Sequence, residues 1–94
     1  MSSDEQGVSM PELTLADLTR ILRAAGGEDD PETLQGDILD VPFADLGYDS
    51  LAMLETVSRI EREFDLSLPE DLVPEMPTPR IALDTINSRL RAAA

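Results

Sequence analysis

The chain has 94 residues and a net charge of −13, with 20 Asp and Glu against 7 basic residues, all of them Arg. That length holds one small domain, and that charge argues against nucleic acid or an anionic membrane as partner, because both need cationic contacts. With no Cys and no His, there is no disulfide, thiolate nucleophile, Cys-based zinc site or imidazole base, so most enzyme classes drop out. A basic protein surface is the electrostatic match. The apolar residues are Leu, Ile, Val, Met and Ala with two Phe, one Tyr and no Trp, which suits packed helices better than sheets.

Residues 1–11 are polar and acidic and read as a disordered lead, ahead of a single domain over 12–92. The lead lacks a basic start and an apolar run, and no stretch has membrane-spanning length, so a monomeric cytoplasmic protein is expected. Thr14 with Asp17 predicts a capped helix start, and Leu15, Leu18, Ile21, Leu22 and Ala25 then share one face, with Arg20 and Arg23 opposite. Gly26-Gly27 is the expected stop. Residues 28–49 hold Pro31, Gly36, Pro42 and Gly47 but also Leu34, Ile38, Leu39, Val41, Phe43 and Leu46. This predicts an ordered loop packed across the bundle, with a helical turn near Thr33–Leu39.

A second helix is expected from Ser50, capped by Asp49, to Phe64. Its apolar half is read as Leu51, Leu54, Val57, Ile60 and Phe64 with Met53. Thr56 falls on the polar half, where Glu55–Arg59 and Arg59–Glu63 are spaced as i,i+4 pairs. Glu61 falls within the apolar arc. A short helical segment follows around Glu70–Val73. Thr78-Pro79 then starts a last helix that faces inward through Ala82, Leu83, Ile86 and Leu90. The fold class is all-α: a small four-helix bundle with three principal helices, a short third one and a long first loop.

The chemistry concentrates in Leu46-Gly47-Tyr48-Asp49-Ser50-Leu51. Gly47 permits a sharp turn, and Asp49-Ser50 place a carboxylate and a hydroxyl at a helix start. One reading is an N-cap and nothing more. The other asks what Ser50 can do. As a nucleophilic catalyst it lacks a histidine base. As the acceptor of a phosphate-bearing group it is well placed, at the positive end of a helix dipole. Asp37, Asp40 and Asp45 lack the spacing of a calcium loop, and Glu28-Asp29-Asp30 reads as a solvated loop; no metal site is expected.

The same hexapeptide, followed by Glu55, Ile60, Glu61 and Phe64, resembles the attachment segment of acyl carrier proteins. The likeness runs from about Leu15 to Leu90. Gly47-Tyr48-Asp49-Ser50-Leu51-Ala52 with Glu55-Thr56 and Thr78-Pro79-Arg80 resembles the dissociated (type II) carriers of aromatic polyketide synthases. Fatty-acid carriers usually have an acidic residue where Ala52 stands and commonly one where Arg62 stands. Peptidyl carriers usually show Gly-Gly before the motif, where this chain has Leu46-Gly47-Tyr48.

The resemblance implies a non-catalytic carrier with 4′-phosphopantetheine, taken from coenzyme A, attached to Ser50 and supported by Asp49 and Leu51. Its thiol would hold malonyl and growing poly-β-keto chains as thioesters. Implied partners are a phosphopantetheinyl transferase, a malonyl transferase, a ketosynthase/chain-length factor, a ketoreductase and cyclases, met through Met53, Glu55, Glu61 and Glu63. Arg80 and Asn87, seven residues apart on the last helix, are candidate cargo contacts; Arg80 is also spaced to pair with Asp84, leaving Asn87 solvated. Two alternatives stay open: a fatty-acid or other-pathway carrier, and an acidic inhibitor or immunity-type protein covering a basic site.

Overall fold

A computed structural model describes residues 12–26 and 36–93. It contains α1 (Leu15–Gly26), α2 (Ser50–Phe64), a 3-10 helix (Glu70–Glu75) and α3 (Pro79–Ala93), with no strand among the described residues. The expected lead, Leu34, the Glu28-Asp29-Asp30 cluster and Gly27 lie outside the described residues.

Helix α1 begins on a reciprocal cap. The Asp17 backbone N–H donates to Thr14 Oγ1 at 3.1 Å, and the Thr14 N–H donates to Asp17 Oδ2 at 3.2 Å. Two backbone donors that the helix cannot satisfy are thereby paired. Leu18, Ile21 and Leu22 of the expected face are buried, and Leu15 packs against them half-exposed. The Thr14 N–H, and beyond it Arg20, hold the Asp17 carboxyl below its ordinary range. A depressed native value means the ionised cap stabilises the fold above about pH 4 and that this contribution is lost as pH falls through the native value. Urea unfolding at a series of pH values should therefore show stability declining below about pH 4, with a shallower decline for Asp17→Asn. Equal slopes would assign the acid sensitivity elsewhere.

From Gly36 to Asp49 the long loop packs across the bundle. Ile38, Phe43 and Leu46 are buried in the core, which is why this polar-looking stretch does not run free. It is lashed to the start of α3 by Phe43 N–H to Pro77 O (2.8 Å) and Arg80 N–H to Leu39 O (2.9 Å). The helical turn expected near Thr33–Leu39 is not helical over residues 36–39. There Gly36 adopts φ +80, a left-handed conformation that interrupts a helix.

Helix α2 has the expected ends but not the expected rotation. It buries Met53, Thr56, Val57 and Ile60. Leu51 is 75% exposed, nearly opposite that stripe at about 100° per residue, and Leu54 is only half-buried. The leucines pulled the expected face round toward solvent. Thr56 can be buried because its hydroxyl donates to Ala52 O at 2.8 Å within the helix. The helix ends on Asp65 in a left-handed conformation (φ 53), whose N–H bonds Glu61 O.

Residues expected to be surface contacts turn out to be ties. Glu61 Oε2 accepts the Leu68 N–H at 2.7 Å, which explains an acid inside the apolar arc: it closes the chain reversal after α2. Glu63 pairs with Arg20 of α1, Oε2 at 2.6 Å and Oε1 at 3.2 Å, and not with Arg59; Arg59 keeps Glu55 at 3.0 Å. The 3-10 helix carries Pro74 inside it and has no fully buried residue. Helix α3 starts on Thr78 Oγ1, which accepts the Ile81 N–H at 3.3 Å, and buries Pro79, Ala82, Ile86 and Leu90.

Candidate attachment site

The turn over residues 43–47 delivers the chain to α2. Its shape is set by Leu46 N–H to Phe43 O (2.9 Å), Gly47 N–H to Ala44 O (3.1 Å) and Tyr48 N–H to Phe43 O (3.0 Å). Gly47, at φ +92, provides the reversal that a side chain would resist. Asp49 caps α2, its Oδ1 accepting the Ala52 N–H at 2.9 Å and its backbone O the Met53 N–H at 2.9 Å. With the cap filled by its neighbour, Ser50 is exposed and its hydroxyl makes no hydrogen bond among the described residues.

A cleft of about 390 Å³ opens beside it, walled by Phe43, Tyr48, Met53, Val73, Pro74 and Met76 and reaching Asp49 and Ser50. A larger hollow of about 510 Å³, lined by Glu61, Arg62, Asp65, Leu66 and Ser67, lies at the other end of α2, roughly 16 Å along its axis, and so is remote from the hydroxyl. A phosphate-bearing arm fits this setting. The oxygen that would carry it is free, the helix N-terminus favours an anion, and an apolar wall stands beside it for an acyl chain. Among the described residues no group of acids could hold a metal ion, and no helix is long and apolar enough to cross a membrane.

The other expected site residues separate into three groups. Asp49, Ser50 and Leu51 are together at the head of α2. Met53 is 6% exposed, so it is part of the cleft wall and not a surface contact, since its side chain points into the core. Glu55 remains on the exposed face, held by Arg59. Arg80 and Asn87 do not form the free polar strip expected of them. Arg80 grips Asp40 of the loop, Nε to Oδ1 at 2.7 Å and NH2 to Oδ2 at 3.1 Å, and not Asp84; these bonds hold the Asp40 carboxyl below its ordinary range. Half-buried Asn87 is engaged by Leu13, accepting its N–H at 2.7 Å and donating to its O at 3.0 Å, so its amide is not the free group expected. The contrast within the first turn of α2 is testable. Met53→Ala should cost about 2–4 kcal/mol of stability and Leu51→Ala under about 0.5, read from urea midpoints; reversed costs would mean that α2 is rotated as the leucines suggested.

Two features escaped sequence reasoning: the buried Tyr48, whose hydroxyl donates to Leu22 O of α1 at 3.1 Å, and the 3-10 helix as a cleft wall. The lone tyrosine was the available signal for the first. The second had none, because Val73 and Pro74 share a cleft lining with Tyr48 only once the chain has folded.

A helical domain that presents one unoccupied hydroxyl at a helix start, beside an apolar cleft, is built as a carrier. Residues 16–83 match the family described as phosphopantetheine attachment site. The granaticin polyketide synthase acyl carrier protein of Streptomyces violaceoruber is 51% identical over 85 residues, 90% of this chain and 100% of that protein. The actinorhodin counterpart of Streptomyces coelicolor is 48% identical over 82 residues, covering 87% of this chain and 95% of that one. The solved holo form of the actinorhodin acyl carrier protein superposes with a TM-score of 0.80 at 45% identity, covering 92% of this chain and all of that one. The chain belongs to the phosphopantetheine-attachment family, among the acyl carrier proteins of type II polyketide synthases. It is a non-catalytic carrier whose cofactor is phosphopantetheine, and the acidic-inhibitor alternative falls away.

Proposed function

We propose that Ser50 Oγ is the atom to which the arm is joined. Its oxygen would attack the pantetheine-side phosphorus of coenzyme A, forming a new O–P bond as the pyrophosphate O–P bond breaks and adenosine 3′,5′-bisphosphate leaves, with the hydroxyl proton released. The single observation that supports this is the free, exposed Ser50 hydroxyl at a helix start already capped by Asp49. When bound, the arm supplies a thiol, which this Cys-free chain lacks, to hold malonyl and growing poly-β-keto chains as thioesters.

The likeness to polyketide synthase carriers supports a set of partners made up of a phosphopantetheinyl transferase, malonyl transferase, ketosynthase/chain-length factor, ketoreductase and cyclases, acting in the cytoplasm on a monomeric carrier. Leu51, exposed beside Ser50, and Glu55, exposed on the same helix, are the contacts for these enzymes. An arginine on a partner would compete with Arg59 for Glu55, a weak exposed pair, so docking can be brief and reversible. The test is intact mass after incubation with coenzyme A, Mg²⁺ and a broad-specificity transferase. A gain of one phosphopantetheinyl group, mapped by fragmentation to Ser50, is expected. A gain elsewhere, or none on folded protein, would refute the assignment.

A further inference from the structure

We infer that Tyr48, seated on Gly26 at the end of α1, is a positioning residue for the loading of Ser50. This rests on the assignment of Ser50 as the attachment point. The turn before α2 is closed on itself by its own backbone bonds. Its early part is held to the bundle by buried Phe43 and Leu46 and by Phe43 N–H to Pro77 O. Beyond Tyr48, Asp49, Ser50 and Leu51 are all exposed, and the next buried side chain is Met53. Tyr48 is therefore the anchor nearest the serine on its N-terminal side. It is buried, and its hydroxyl donates to the Leu22 carbonyl of α1 at 3.1 Å, across 26 residues of chain.

Gly26 gives an independent sign of the same tie. It is the last residue of α1 and is not among the positive-φ glycines, so its backbone conformation does not call for glycine. Alanine there would favour the helix by up to about 1 kcal/mol. What glycine provides is room: a Cβ at this position would stand 3.0 Å from Tyr48 Cε2 and 3.4 Å from its hydroxyl oxygen. The ring sits where a side chain would have been. Tyr48 also walls the cleft beside Ser50. One buried side chain thus joins α1, the cleft and the segment that aims the acceptor oxygen.

Phosphopantetheinyl transfer needs the serine oxygen in line with a phosphorus in another protein's site, and small misplacements of a reacting atom cost rate steeply. Docking, in contrast, depends on the exposed Leu51 and Glu55, whereas Tyr48 is buried. The consequence is a split between kcat and KM. With apo full-length chain, coenzyme A and a phosphopantetheinyl transferase, Tyr48→Phe should lower kcat by about five- to tenfold while KM for the carrier stays within about twofold. Gly26→Ala, which presses on the ring from α1 and leaves residues 43–51 unaltered, should show the same split. Circular dichroism at the assay temperature establishes that each variant is folded. If Tyr48→Phe does not fold, Gly26→Ala decides alone.

Wild-type kcat in the folded variants, or a raised KM at unchanged kcat, would overturn the positioning role while leaving Ser50 loaded. A wild-type chain that gains no arm would instead defeat the Ser50 assignment itself, so the two failures are distinct.

Discussion

Ser50→Ala should abolish phosphopantetheinylation completely while leaving stability within about 0.5 kcal/mol of wild type. The loss is total because the substitution removes the oxygen that forms the new bond. The fold is spared because Ser50 does not cap its helix: the donor that a cap must satisfy is already bonded to Asp49 Oδ1, and alanine is a better helix former than serine. Intact mass and urea unfolding on the same samples separate the two readouts. Residual loading at the wild-type stoichiometry would place the arm on another residue. Loss of loading together with loss of fold would make Ser50 a structural residue first.

Asn87→Asp should cost about 3 kcal/mol at neutral pH, and Asn87→Ala about 2. The side-chain amide spans 74 residues to hold Leu13, one end accepting from its N–H and the other donating to its carbonyl. Leu13 is 1% exposed, so these bonds fix a fully buried residue where the chain enters α1. Alanine forfeits both bonds and leaves part-buried backbone groups unpaired. A carboxylate keeps one bond but sets an anionic oxygen against the Leu13 carbonyl, in a chain already at −13. The introduced carboxyl should therefore titrate above its unfolded value. The penalty is then full above that raised native value and is relieved as pH falls through it toward about 4, because protonation restores a donor. Urea midpoints for Asn87→Asp should approach those of Asn87→Ala on acidification. Neutral-pH stability equal to wild type would mean that the Leu13 bridge contributes nothing.

The legible and illegible features divide by range. Thr14 with Asp17, Asp49 before Ser50, and Thr78-Pro79 are local signals, and each marks a helix start in the fold because a cap is completed within three or four residues. The setting of Ser50 was legible for the same reason: its turn, cap and free hydroxyl all lie between Phe43 and Met53, while its role as attachment point rests on the family resemblance. The rotation of α2 was not, because Leu51 and Thr56 exchange their expected places. A hydropathy pattern assigns leucine inward and threonine outward. It does not register that Thr56 satisfies its hydroxyl inside its own helix, nor that Leu51 is left exposed.

The acids and amides show the same limit. Glu61 and Glu63 read as partner contacts and Arg80 and Asn87 as cargo contacts, and each is engaged by a residue distant in sequence or across a turn: Leu68, Arg20, Asp40 and Leu13. Only Glu55, whose partner Arg59 sits four residues on, was paired correctly from spacing. By itself the sequence determined an all-α fold with Ser50 at the head of the second principal helix, since caps, turns and helical periodicity act within a few residues. The carrier reading rests on the resemblance of the segment around Ser50 to acyl carrier proteins. The tertiary structure decided which side of that helix is buried, which polar side chains are already spent, and where Tyr48 is anchored on α1, because those depend on contacts that exist only once the helices have closed on one another.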